Sequence, residues 1–210
     1  MAKLYFKQGP MKSGKTRDLM KTWYNYTEKG MNAIIIKPGD DKKAGNNIQT
    51  RANEEMKVDY VVPRNTNIYF LIAGHLLDNN LDLIPASLDC IIVDEAQFLT
   101  EVQVDELSDV VDNFDIPVLC YGLRADAFTH LFPGSKRLLE VADVIEELKA
   151  VCKCGEKATH NIRYDKINGE LIPVFSGPQI AIDGIDSYYD SGCRRCYKQL
   201  RRKYEKKKEE

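Results

Sequence analysis

Short runs of β-branched and aromatic residues alternate with stretches of helical periodicity through the first two thirds of the chain. Leu4 to Phe6 is followed by Thr16 to Lys29 and then by Ala33 to Ile36, the rhythm of strand, helix and parallel strand. Within that helix Leu19, Met20, Trp23 and Tyr24 form one apolar stripe, and Gly30 supplies a C-terminal stop. Further strands are predicted at Val58 to Val62, Cys90 to Val93 and Val118 to Leu123, with a helix between each neighbouring pair. The last two are almost continuously apolar, as strands covered by helices on both faces must be. From Pro38 to Lys57 the pattern breaks into a polar, glycine-containing stretch too long for a simple connection, which reads either as a mobile surface loop or as a functional one. After Ala150 the alternation ends. Val151 to about Leu200 holds short strand-like pieces, among them Glu170 to Phe175. The expected organisation is a main α/β domain over 1–150, a small module over 151–200 and a charged tail over 201–210.

Composition narrows the classes. A chain of 210 residues that is 43% hydrophobic supports one sizeable core and a small accessory module. A net charge of −2 and a pI near 6.0 are unlike a dedicated nucleic-acid binder, so any polyanion must be met locally. From Arg194 onward nine Lys or Arg face three Glu. With no evident stacking platform, this tail reads as a solvated or frayed helix end, and no nucleic-acid partner is expected. No run approaches the roughly 18 apolar residues of a membrane span. The N-terminal MAKLYFKQGP passes directly into a strand without a signal-like apolar region. The expectation is a cytoplasmic protein with no membrane partner.

The chemistry begins at Gly9, Pro10, Met11, Lys12, Ser13, Gly14, Lys15 and Thr16, which match G-x-x-x-x-G-K-[ST] between a predicted strand and a predicted helix. Glycines there let backbone N–H groups curl around phosphate oxygens at a helix N-terminus, where orphan donors and the positive dipole end favour an anion. Lys15 is expected on the β- and γ-phosphates of ATP, and Thr16 on the accompanying Mg²⁺. A second acidic feature completes such a site. Cys90 to Val93 ends in Asp94 and Glu95, at the kind of strand terminus where open α/β sheets present ligands. Asp94 is expected to hold Mg²⁺ opposite Thr16, leaving Glu95, which points elsewhere, to accept a proton from a nucleophile. The fold class is therefore α/β, a P-loop, RecA-like parallel sheet flanked by helices.

Four of the six cysteines fall in two close pairs, Cys152 with Cys154 and Cys193 with Cys196. Four thiolates bracketing a small module suit a closed, tetrahedral structural zinc site, so that module is expected to be zinc-stapled. Redox chemistry is the competing use of the same residues. The single residue between Cys152 and Cys154 makes the first pair tight. Cys90 and Cys120 lie in apolar strands and read as small core residues.

Gly9-Pro-Met-x-Ser-Gly-Lys-Thr, Asp94-Glu-Ala-Gln97-Phe98, Tyr121-Gly-Leu-Arg124, Gly134-Ser-Lys136, the Cys152-Lys-Cys154-Gly155 knuckle and Cys193-Arg-Arg-Cys196-Tyr197 together resemble type II thymidine kinases over nearly the whole chain. The resemblance implies transfer of the γ-phosphate of Mg²⁺-ATP to the 5′-hydroxyl of thymidine, with Glu95 as general base. It implies structural zinc and a homotetramer. It adds Asp41, Lys43 and Gln97 to the ATP-binding set. It implies a nucleoside pocket formed by Met11, Phe98, Leu123, Phe128 and Phe132, apolar side chains suited to a pyrimidine. A lasso-like stretch from Gln179 to Tyr189, including Ile180 and Ile182, is expected to close over the base, with Tyr188 preferred to Tyr189 as its tyrosine.

The chain departs from the family pattern at three places. Ile182-Asp183-Gly184 stands where relatives often have Ile-Gly-Gly. Asp126-Ala127-Phe128 stands where Asp-Phe is usual, so either Phe128 is re-aimed into the pocket or the pocket is wider. Lys43 stands in place of an arginine and keeps the charge without the bidentate fork. Two readings compete with the kinase. One is a nucleic-acid-stimulated P-loop ATPase, which needs a second motor domain that 210 residues do not accommodate; the other is a non-catalytic zinc-binding module. Deoxyuridine differs from thymidine by one methyl group, worth only about 1 to 3 kcal/mol in an apolar pocket, so both are candidate acceptors.

Overall fold

The structure is a computed structural model in which residues 1–39, 47–49, 54–78, 87–179 and 187–209 are described. Asp41, Lys43, Ile180 and Ile182, with Asp183 and Gly184, lie outside the described residues. In chain order the strands are β1 Leu4–Gln8, β2 Ala33–Pro38, β3 Asn47–Gln49, β4 Glu55–Lys57, β5 Tyr60–Val62, β6 Cys90–Val93, β7 Val118–Gly122, β8 Val144–Glu147, β9 Ala150–Val151, β10 Lys157–Ala158, β11 His160–Ile167, β12 Glu170–Val174 and β13 Ser187–Gly192. The helices are α1 Lys15–Thr27, α2 Ile68–Asp78, α3 Glu101–Phe114, α4 Pro133–Val141 and α5 Arg194–Glu209.

Six strands form the parallel sheet expected from the alternation, in the order β5-β2-β6-β7-β1-β8. Successive side chains leave a strand on opposite faces, and this alternation sorts the core into two layers. Leu4, Phe6, Ile34, Ile36, Ile91, Val93, Val118 and Cys120 cluster with Ile68 and Ile72 of α2, Val104 and Leu107 of α3, and Leu138 of α4. On the other face Ile35, Ile92, Leu119 and Tyr121 pack with Leu19, Met20 and Trp23 of α1 and with Ile48 and Met56 of the β3–β4 hairpin. Both faces of β6 and β7 are thus covered, which is why every residue of these strands is buried. Burial pushes the Cys90 thiol up to about 12 and that of Cys120 higher still, in keeping with two inert core cysteines.

Differences from the sequence reading are local. The third strand of the sequence pattern is only Tyr60–Val62, because Asp59 is diverted to β2: its carboxylate accepts the Ile35 N–H at 2.7 Å and its own N–H donates to the Ile35 carbonyl at 3.0 Å. The strand expected to reach Leu123 ends at Gly122. The α1 stop falls at Gly30 as expected, with φ +74°, a conformation natural to glycine.

The second sheet is antiparallel, with β11 between β12 and β13. Its β11–β12 hairpin turns through Asn168 and Gly169, at φ +51° and +86°, the positive-φ pair that a two-residue turn with the native strand twist requires. The basic C-terminal stretch is a helix, and its exposed charges fit the solvated reading. It is docked as well, because Tyr197 and Tyr204 both contact Phe175 with ring centroids 5.5 Å apart. No helix among the described residues is long and apolar enough to cross a membrane.

Candidate active site

Strand β1 runs into Gly9, the tight loop and then α1, as the motif requires. A Cβ at Gly9 would lie 2.5 Å from Ser13 Oγ and 2.6 Å from the Leu148 carbonyl, so only glycine allows the loop to fold back there. Gly14, at φ +81°, is the N-cap of α1 and provides no capping side chain, which leaves the first-turn N–H groups directed at the loop. Lys15 Nζ donates to the Gly9 and Pro10 carbonyls at 3.1 and 2.9 Å and so lies across the loop. Thr16 follows in the first turn.

Asp94 follows the last residue of β6, at the same end of the parallel sheet as the loop that follows β1, and is 6% exposed. Its N–H donates to the Ile36 carbonyl at 2.9 Å, continuing the ladder by one residue. At Glu95 the backbone switches to the left-handed region, φ +49°, which turns the side chain away from the strand line and starts the 3-10 turn Ala96–Phe98. One carboxylate oxygen of Glu95 accepts a hydrogen bond from Gln97 Nε2 at 2.5 Å. The Gln97 Oε1 accepts the Leu123 N–H at 2.9 Å. Gln97, 1% exposed, therefore connects the ends of β6 and β7 and sets where Glu95 can point. Gln97, which the family resemblance adds to the ATP-binding set, also lines the cavity of Phe98 and Phe132. Two glycines make that arrangement possible. A Cβ on Gly122 would meet Gln97 Oε1 at 2.9 Å, and a Cβ on Gly134 would meet the Ala96 and Leu99 carbonyls at 2.5 and 2.8 Å.

Phe98 and Phe132 meet edge to face, centroids 5.6 Å apart. With Gln97, Leu99, Pro133, Arg64 and Gln179 they line a cavity of about 80 Å³. Gln179 Nε2 donates to the Leu131 carbonyl at 3.2 Å, which brings the chain just before residue 180 to the cavity rim. Leu123 is at the adjoining end of β7, its carbonyl accepting from Ser135 Oγ. Phe128 lines neither this cavity nor the larger one described next. Its N–H is bound to Asp126 Oδ1, while Ala127 is buried with its carbonyl accepting the Tyr197 hydroxyl at 2.9 Å.

A second cavity, about 110 Å³, lies where Gln8, Glu147 and the loop from Arg124 to Leu131 meet Thr159, His160 and Asn161. The His160 imidazole there has its pKa lowered by burial and by the nearby Arg124. Asn161 bridges two loops: Oδ1 accepts the Met11 N–H and Nδ2 donates to the Ala125 carbonyl, both at 2.7 Å. Lys12 Nζ donates to Asp190 Oδ1 at 2.6 Å and to the Tyr188 hydroxyl at 2.7 Å. Burial works to lower the pKa of that ammonium, but the bonds to Asp190 and Tyr188 outweigh it and the net shift is upward. Tyr188 thus sits on the phosphate loop. Asn161 and Asp190 carried no signal in the sequence, being 150 and 178 residues from their partners.

The four paired cysteines come together. Their sulfurs all lie within 4.8 Å of one another, with Cys154 Sγ 3.6 Å from Cys193 Sγ. No disulfide forms among them. A tetrahedron with metal–sulfur bonds of about 2.3 Å has edges of about 3.8 Å, so this cluster fits one zinc ion. The knuckle is made by Gly155 at φ +88°, whose N–H returns to the Cys152 carbonyl at 2.9 Å. The Glu156 backbone N–H, then the neighbouring thiols, hold the Cys154 thiol down to about 6, favouring the thiolate that a metal takes.

Comparison with known proteins gives a consistent result. Residues 2–197 match the sequence model of the family described as "Thymidine kinase". The chain is 43% identical over 199 residues to a thymidine kinase of Pasteurella multocida, covering 95% of this chain and 98% of that one. It is 43% identical to one of Haemophilus influenzae, over 95% and 97% of the two chains. To one of Rhodopirellula baltica it is 42% identical, over 95% and 89%.

Proposed function

The chain belongs to the thymidine kinase family, and we propose that it transfers the γ-phosphoryl group of ATP to the 5′-hydroxyl of thymidine, with Glu95 as the general base. The observation that carries this reading is the position of Glu95. Its left-handed backbone turns it out of the strand line at the end of β6, and its hydrogen bond ties the carboxylate to Gln97, a wall of the cavity that Phe98 and Phe132 also line. A nucleoside whose base lies against the two rings would direct its hydroxyl toward that carboxylate, and the triphosphate would enter from the α1 side.

The residues divide the work. Backbone N–H groups at the start of α1, from Gly14 to Thr16, hold the β- and γ-phosphates, and Lys15 moves from the Gly9 and Pro10 carbonyls onto the phosphate oxygens. Thr16 and Asp94 would hold Mg²⁺, which when bound would offset the negative charge of the phosphates. Glu95 accepts the proton of the attacking hydroxyl as the phosphoryl group arrives, and Gln97 keeps its free oxygen aimed. Phe98, Leu123 and Phe132 select a flat base, Gln179 stands at the cavity rim, and Ile180 and Ile182 belong to the same substrate set. Met11 and Phe128 complete the nucleoside set, Asp41 and Lys43 the nucleotide set. One methyl group is weak discrimination in an apolar pocket, so deoxyuridine is an acceptor as well as thymidine.

Cys152, Cys154, Cys193 and Cys196 hold a structural zinc ion, because all four sulfurs are committed and no coordination position remains for substrate. The domain division is 1–150 for nucleotide binding, 151–200 for the zinc and lasso module, and 201–210 for the tail. The working form is a cytoplasmic homotetramer.

The test is incubation of the zinc-replete protein with Mg²⁺-ATP and a panel of deoxynucleosides, with products resolved by chromatography. Thymidine monophosphate as the main product, with little ADP released in the absence of acceptor, is the expected result. ADP released without nucleotide product, faster with added nucleic acid, would sink the kinase reading.

A further inference from the structure

The phosphate loop is held from the far side of the molecule at two adjacent residues. Met11 donates its N–H to Asn161 of β11, and Lys12 directs its ammonium away from the loop to Asp190 and Tyr188 of β13. Asn161 and Asp190 are 6% and 7% exposed and sit on neighbouring strands of the small antiparallel sheet. The amide orientation of Asn161 is fixed by chemistry, since one end must accept from an N–H and the other must donate to a carbonyl. Between these anchors the backbone of Lys12 adopts φ +65°, a conformation that a non-glycine residue keeps only where its surroundings impose it. Lys153 lies 3.7 Å from the other oxygen of Asp190, so the carboxylate is flanked by two cations and stays ionised.

We propose that Asn161 and Asp190 are positioning residues for nucleotide binding, fixing the Met11–Lys12 corner of the phosphate loop from the cysteine-stapled module. The inference rests on the kinase reading for the identity of the nucleotide. Its physical content is pre-organisation. With the corner anchored, the remaining loop N–H groups are already turned inward and binding does not have to order them. Without the anchors, Lys12 relaxes toward an ordinary φ value and the nest opens. The tether also occupies the Lys12 ammonium, so this lysine acts on the loop through Asp190 and not by touching phosphate.

The experiment is calorimetric titration of Mg²⁺-ATP, without nucleoside, into the full-length wild-type protein and the variants Asn161→Ala, Asp190→Asn, Lys12→Met and Lys12→Met/Asp190→Asn. Steady-state KM and kcat follow for each substrate. Each single variant is expected to weaken ATP about ten-fold, the consequence of losing one hydrogen bond to a buried or charged partner. The KM for ATP rises in step, and kcat changes less. The double variant is expected to be no weaker than Lys12→Met, the signature of two residues acting as one unit. Melting curves identify any variant that is merely unfolded. If Asn161→Ala is one, Asp190→Asn and the double variant decide. Folded Asn161→Ala and Asp190→Asn proteins that bind ATP like the wild type overturn the proposal. So does a loss confined to Lys12→Met, which would put the ammonium on phosphate directly. Failure of the wild type to bind ATP would instead be a failure of the kinase reading.

Discussion

The parallel sheet and the small antiparallel sheet are stabilised by different means. In the first, side chains from β1, β2, β6 and β7 interdigitate with α2, α3 and α4 in one continuous apolar layer, with α1 closing the other face. In the second, the apolar cluster at the base consists of Ala150, Cys152, Ala158 and Cys193, with Cys196 packed against it. Two of its four buried members are thiols. Hydrophobic burial therefore dominates in the main domain, whereas the module depends more on what its cysteines bind and on a buried polar pair, the Arg163 guanidinium forked onto Asp165 at 2.8 and 3.1 Å. The division has a functional counterpart. The phosphate loop and the acids stand on the rigid sheet, while the residues that approach them from outside, Gln179, Tyr188 and Asp190, belong to the metal-dependent module.

Stripping the metal with a chelator tests that contrast most severely. Structural zinc sites contribute about 10 kcal/mol or more of apparent folding free energy, so the small sheet is expected to lose its order while the main sheet persists. Limited proteolysis should then cut within 151–200 and leave a resistant fragment close to 1–150. Simultaneous loss of both parts would show that the two regions are one cooperative unit. Next in size is Glu95→Gln, which touches function and neither core. Turnover should fall by about 10² to 10⁴ with ATP binding retained, measured by kcat and by nucleotide titration. Unchanged turnover removes Glu95 from the chemistry.

Gly134→Ala is a smaller perturbation inside the main domain. Its methyl group would press on the Ala96 and Leu99 carbonyls, and a loss of about 1 to 3 kcal/mol is expected, as for other overpacked sites. Denaturant unfolding measures it, and the KM for thymidine should rise because the turn carrying Gln97 and Phe98 shifts. Tyr204→Ala gives the smallest effect, about 1 kcal/mol from the ring contact with Phe175. A melt of the metal-loaded protein should show no more than that. A much larger loss would mean that α5 contributes to the module as strongly as the cysteines do.

How far the sequence is legible differs between these regions for the same reason. In the main domain, the strands at Cys90 and Val118, the helix ending at Gly30 and the loop from Gly9 to Thr16 are written in consecutive residues, where period, glycine placement and motif spacing operate. The cysteine pairs were equally plain, since close pairs have few other uses. What escaped were contacts between distant segments. Asp59 shortened a strand by bonding across to Ile35, and Gln97 joins the ends of two strands by bonding Leu123. Ala127 is buried, its carbonyl accepting the hydroxyl of Tyr197, 70 residues further along the chain.

By itself, then, the sequence determined the fold class, the phosphate loop, the acidic strand end and the four-thiol staple, because each is a local pattern whose physics is complete within a few residues. Only the tertiary structure decided how Glu95 is aimed, which rings face each other across the cavity, and that Met11 and Lys12 are held by Asn161 and Asp190. The last two pair single polar groups 150 and 178 residues apart, and they come into being when the small sheet is folded against the large one. The first two need the ends of the main-sheet strands to be assembled, since the Leu123 N–H holds the Gln97 amide, and no periodicity encodes any of them.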